Sequence, residues 1–132
     1  MTRALARAAK QTLIQAGASL ADIDMVWVAG AFELPVAAAR VVKAYPRPDA
    51  VIALGVLIRG ETAQYEVIAN AVAQGLTQVS VTSGIPVAFG VVVAETPAQA
   101  KARSGGRLGN RGAEAAEAAL SVLRASIGKK SS

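Results

Sequence analysis

Residues 50–76, "AVIALGVLIRGETAQYEVIANAVAQGL", decide the fold. Residues 50–56 are continuously apolar, the mark of a strand covered on both faces rather than one that alternates between core and water. After a polar turn the pattern becomes a long helix, about 62–82, with Gly84 as its stop. A buried strand running into a helix is half of a strand-helix-strand unit, so the flanks should repeat it.

They do. Downstream, "IPVAFGVVVAE" repeats the buried-strand signature. It is followed by "TPAQAKARS", a short helix with Thr96 as N-cap and Pro97 in its first position, where a missing N–H costs nothing. "GGRLGN" reads as a loop, "RGAEAAEAALSVLRASI" as the closing helix and "GKKSS" as a frayed end. Upstream, "ELPVAAARVVKAY" is a helix with Pro35 in its first turn, and 25–28 is a short strand ended by Gly30. The chain opens on an amphipathic helix, its stripe made by Leu5, Ala8, Ala9, Leu13 and Ile14 and its stop by Gly17. Residues 1–127 are therefore expected to form a single domain, with 128–132 a flexible tail. Helices between successive strands imply an α/β protein with a parallel sheet, right-handed crossovers and helices on both faces. Three strands make a thin sheet, and a strand is expected to be missing from its front.

Composition narrows the chemistry. The 132 residues are 53% hydrophobic but only 4% aromatic, so the core must be built from Ala, Val, Leu and Ile. There is no cysteine and no histidine, which excludes thiolate chemistry and the usual proton shuttle near neutral pH. Asp, Glu, Lys, Arg, Tyr and water remain for proton traffic. The net charge of +5 is spread thinly rather than gathered with aromatics, so nucleic acid is not the expected partner. The late cluster Lys101, Arg103, Arg107 and Arg111, with its glycines, suits a small anion. No run reaches the roughly 18 apolar residues of a membrane span. The N-terminus lacks the solid apolar block of a signal, so a cytoplasmic protein is expected.

In an open parallel sheet, ligands bind beyond the carboxyl ends of the strands. Three loops occupy that position: "AGAFELP", "GVLIRGETAQ" and "VVVAETP". In the first, Glu33 either satisfies a helix dipole or, with the backbone of Ala31 and Phe32, meets a polyhydroxy or heterocyclic ligand. In the second, Thr62 either caps the long helix or helps its N-terminus hold a phosphate, with Glu61 turned away. In "RSGGRLGNRG", Arg103 and Arg107 either sit solvated on a flexible connection or neutralise a phosphate as forked donors.

Taken in order, "VAGAFELPVAA", "DAVIALGVLIRGETAQYEVIANAVAQGL", "GIPVAFGVVVAETPAQAKARSGG" and "GNRGAEAAEAAL" resemble the lumazine synthase family over about residues 1–124. The resemblance implies a flavodoxin-like αβα three-layer sandwich that assembles into pentamers, often into an icosahedral shell. It implies riboflavin biosynthesis: condensation of 5-amino-6-ribitylaminouracil with 3,4-dihydroxy-2-butanone 4-phosphate to 6,7-dimethyl-8-ribityllumazine, without cofactor or metal. Ala31, Phe32 and Glu33 then match the segment on the pyrimidine and ribityl chain, and Val56, Leu57 and Ile58 the backbone beside the pyrimidine. Glu61 and Thr62 match the phosphate turn, Arg103 the phosphate-binding arginine, Arg107 a position where lysine is usual, and Phe89 a residue contributed across the subunit interface.

Two departures from the family pattern stand out. Gln64 occupies the place of the family's acid/base histidine. Glutamine can hydrogen-bond but cannot exchange a proton near neutral pH, and losing a positioned acid/base costs about 10²–10⁴ in rate. The second departure is the family's first strand, which lies between the strands expected at 25–28 and 50–56. Either the sequence is shortened, or something else fills the slot, or the flanking strands close up and pair directly. The small residues Ala69, Ala71, Ala73 and Gly75 suit either close helix packing around a five-fold axis or ordinary packing on the sheet. A catalytically inactive oligomeric scaffold derived from the same fold is the alternative function.

Overall fold

A computed structural model describes residues 1–59, 64–106 and 109–125. Helix α1 (Thr2–Gln15) ends as expected, with Gly17 in the left-handed region at φ 113°. Short 3-10 turns at Leu20–Asp22 and Ala31–Glu33 precede α2 (Leu34–Val41), which carries Pro35 in its first turn and ends short of Pro46 and Pro48. Strand β1 (Val51–Ile58), α3 (Tyr65–Ser83) and β2 (Val87–Ala94) follow. Gly84 takes the left-handed cap of α3, at φ 74°. Helix α4 (Pro97–Ala102), a small antiparallel pair β3 (Ser104–Gly106) and β4 (Gly109–Asn110), and α5 (Arg111–Arg124) complete the described chain.

β1 and β2 pair in parallel along their full length, from Val51 with Val87 to Ile58 with Ala94. Because parallel strands are covered on both faces, their alternating side chains feed two cores. On one side Leu5 of α1 packs with Ile58, Val92, Ala94 and Ala100, joined by Leu54 and Val56. On the other, Ala38 of α2 and Val72 and Leu76 of α3 pack with Ala53 and Val91. The result is a three-layer α/β arrangement, with α1 and α5 on one face and α2 and α3 on the other.

The helices of the first face meet closely at one point. A side chain at Gly112, in the first turn of α5, would run into the Leu5 carbonyl of α1. Asn110 reinforces that crossing: its Oδ1 accepts from the N–H of Gly112 at 2.8 Å and of Ala113 at 3.2 Å, while its Nδ2 donates to the Ala4 carbonyl at 3.3 Å. One side chain thus caps α5 and ties it to α1.

One expected strand does not form. Residues 25–28 carry β-branched and aromatic residues but belong to no sheet, and the described parallel sheet has two strands rather than three. Met25, Val26 and Trp27 are 44%, 64% and 60% exposed. A strand exists only through a ladder partner, and nothing among the described residues supplies one here. The flanking segments therefore do not close up and pair directly. The loop expected at "GGRLGN" is also more regular than anticipated, since β3 and β4 pair across it.

Candidate active site

The register of the sheet defines the site. Ile58 stands opposite Ala94, so the next residues, Arg59 and Glu95, emerge together at the carboxyl edge where open parallel sheets bind ligands. Val56, Leu57 and Ile58 reach this edge from β1, but their side chains serve the two cores. What they can offer a ligand is backbone.

Arg103 arrives from the end of α4. Its Nη1 donates to the Val93 carbonyl at 3.2 Å, and its own carbonyl accepts from the Arg111 N–H at 2.9 Å. Val93 is the register partner of Leu57, so the guanidinium is held one strand from the β1 backbone. The rest of its fork is available for an anion. The segment that delivers it is well built: Thr96 accepts from the Gln99 N–H at 3.2 Å as the expected N-cap, and Gln99 Oε1 accepts in turn from the Glu95 N–H at 2.9 Å. Ser104, buried, donates to the Ala100 carbonyl at 2.7 Å.

Ala31, Phe32 and Glu33 form the turn entering α2 and reach the middle of β1, where Ala31 and Leu34 lie beside Gly55. Phe32 is exposed. Glu33 holds the N-cap position of α2 but caps nothing with its side chain; its Oε1 folds back over Gly30 instead. Beside it, an apolar concavity of about 380 Å³ opens between α2 and residues 26–29, with Glu33 and Arg40 as its charged lining.

Gln64 stands at the N-cap of α3, its carbonyl accepting from the Ile68 N–H at 3.0 Å. Next to it Tyr65 is buried, its hydroxyl donating to Glu66 Oε1 at 3.2 Å and its ring facing the Arg59 guanidinium at 5.9 Å. Burial, then the bond to and charge of Glu66, push the Tyr65 phenol above the usual tyrosine range; Arg59 opposes the shift and Glu95 adds to it. Glu61, Thr62 and Arg107 lie outside the described residues.

Phe89 is not brought to this edge. It pairs with Ala53, five residues before Ile58, which sets it roughly 16 Å back along the sheet at about 3.3 Å per residue. It is 43% exposed. Sequence reading missed Asn110, Ser104 and the Val93 carbonyl. The first carried a signal, an Asn directly before a helical pattern; the other two act through backbone contacts that no residue type announces.

Among the described residues no helix is long and apolar enough to cross a membrane, and no three His, Cys, Asp or Glu side chains gather as a metal site. The family model for 6,7-dimethyl-8-ribityllumazine synthase matches residues 1–126. The 6,7-dimethyl-8-ribityllumazine synthase of Pediococcus pentosaceus is 41% identical over 123 residues, which cover 93% of this chain and 78% of that protein. That of Thermus thermophilus is 40% identical over 94% of this chain and 78% of its own length, and that of Gemmatimonas aurantiaca 43% identical over 93% and 74%. The chain belongs to the 6,7-dimethyl-8-ribityllumazine synthase family.

Proposed function

We propose that this chain catalyses the riboflavin-pathway condensation of 5-amino-6-ribitylaminouracil with 3,4-dihydroxy-2-butanone 4-phosphate, giving 6,7-dimethyl-8-ribityllumazine with loss of water and phosphate. The observation that carries the reading is the tether of Arg103 to Val93, which aims a guanidinium at the carboxyl edge of the sheet beside the Leu57 backbone. In this reading Arg103 holds the phosphate and, with Glu61, Thr62 and Arg107, draws the butanone to the sheet edge. Ala31 and Phe32 present backbone to the pyrimidine, Glu33 accepts from ribityl hydroxyls, and Val56, Leu57 and Ile58 line the ring with main-chain groups.

An amine condensing with a ketone gains much of its rate from being held against its partner. The protons it must move pass through water, because Gln64 cannot exchange one. Turnover is accordingly reduced. Phe89, set back from the edge, would serve a neighbouring subunit, which supports a homo-oligomer, a pentamer or a pentamer-based cage, working in the cytoplasm. The presence of Gln64 also favours a second reading, an inactive oligomeric scaffold.

The test is to mix the purified protein with both substrates and measure product and phosphate together. One phosphate released per lumazine formed, faster than without protein, supports the enzyme; no gain at high protein concentration leaves the scaffold.

A further inference from the structure

We propose that Arg59 is a second phosphate-binding cation of the candidate site, held on the Tyr65 ring and steering the anionic substrate toward Arg103. The proposal rests on the catalytic reading for its substrate. Arg59 is the first residue beyond β1, opposite Glu95, the first beyond β2. Side chains alternate along a strand, so Arg59 leaves the sheet on the same face as Leu57, which joins the core beneath α2 and α3. Tyr65, in the first turn of α3, meets it there. The guanidinium carbon stands over the ring, 5.9 Å from its centre.

Tyr65 is buried and Arg59 exposed, so a fixed ring holds a cation at the surface. An arginine over an aromatic face uses none of its N–H donors on that contact. Among the described residues no carboxylate pairs with Arg59. Its donor fork therefore reaches the carboxyl edge of the sheet ready for an anion.

Arg103 reaches the same edge through the Val93 carbonyl, beside Leu57 on the neighbouring strand. Two residues of rise and one strand spacing separate that anchor from Arg59, on the order of 8 Å. Two long side chains rooted that close can meet on one phosphate. Charge gives the second cation its purpose. Glu66, bonded to the Tyr65 hydroxyl, and Glu95, which acts on the same phenol through space, place two carboxylates around this edge. Among the described residues, Arg103 alone would leave the balance there negative and repel a phosphate dianion. Arg59 cancels the excess. Steering of this kind acts on association and ground-state binding, and a point charge suffices for it, unlike the forked grip of Arg103.

The experiment titrates inorganic phosphate into the full chain by phosphorus NMR at low ionic strength, beside steady-state kinetics with the butanone phosphate varied. Arg59→Gln should weaken phosphate binding and raise KM for the butanone phosphate about 5- to 10-fold each, with KM for the aminouracil unmoved. Arg59→Lys should bring both back to within about twofold of the parent, a rescue that a merely structural role on the Tyr65 ring would not give. The salt dependence of kcat/KM should flatten in Arg59→Gln and persist in Arg59→Lys. Phosphate affinity unchanged in Arg59→Gln but lost in Arg103→Ala would overturn the proposal, as would a parent that binds no phosphate. The two readings fail separately. Arg59-dependent phosphate binding with no lumazine formed would sink catalysis and leave this site, whereas turnover whose KM ignores Arg59→Gln would do the reverse.

Discussion

Arg103 donates to the Val93 carbonyl at 3.2 Å, and Val93 is the register partner of Leu57. The cation of the proposed site is therefore fixed to the sheet by its own hydrogen bond. A charge-assisted hydrogen bond contributes about 1.5–3 kcal/mol, so Arg103→Ala should raise KM for the butanone phosphate roughly 10- to 100-fold. Arg103→Lys keeps the charge but loses the fork and should recover only part of that. Steady-state kinetics with the phosphate substrate varied checks both.

Gln64, which the proposed function sets in the place of an acid/base histidine, holds the N-cap position of α3. If the rest of the site is intact, Gln64→His should raise kcat by about 10²-fold or more. It should also introduce a pH dependence near the histidine range that the parent lacks. A pH–rate profile of the two proteins is the check. An unchanged rate would favour the scaffold.

Tyr65 links stability to alkaline pH. Its folded pKa lies above the unfolded value, so below about pH 10 both states are protonated and the stabilising effect is complete. As pH rises further the unfolded chain loses its proton first, and the native state loses that stability through the folded pKa. Phenolate absorbance should therefore show the Tyr65 step displaced above the usual tyrosine range. In Tyr65→Phe that step should vanish, together with the extra alkaline loss of stability.

Gly112 tests the α1–α5 crossing. On helix propensity alone Gly112→Ala should stabilise by up to about 1 kcal/mol. The added Cβ, however, falls on the Leu5 carbonyl, which is backbone and cannot swing away. Overpacking of this kind costs about 1–3 kcal/mol, so the clash wins and the net effect should be destabilising. Asn110→Ala should cost about 1 kcal/mol through the lost cap. Denaturant unfolding midpoints decide both signs.

Much of this fold was legible because its strands are covered on both faces. The apolar runs that became β1 and β2 could be little else, and Gly17, Gly84 and Thr96 terminate or start helices where expected. Residues 25–28 show where such reading ends. Their composition favours a strand, but pairing is a property of two segments, and the exposed Val26 and Trp27 record the lack of a second. The site divides in the same way. Arg103 and Glu33 were legible as residue types in loops at the right end of the sheet. The Val93 carbonyl that aims Arg103, and the folding of Glu33 over Gly30 instead of onto the α2 cap, depend on tertiary geometry.

The most direct measurement is the initial rate of lumazine fluorescence with the aminouracil saturating, the butanone phosphate below saturation and protein concentration varied. Catalysis predicts a rate that rises linearly with protein above the uncatalysed background, slow in the parent and lowered further by Arg103→Ala. A rate that stays at background at every protein concentration would contradict it.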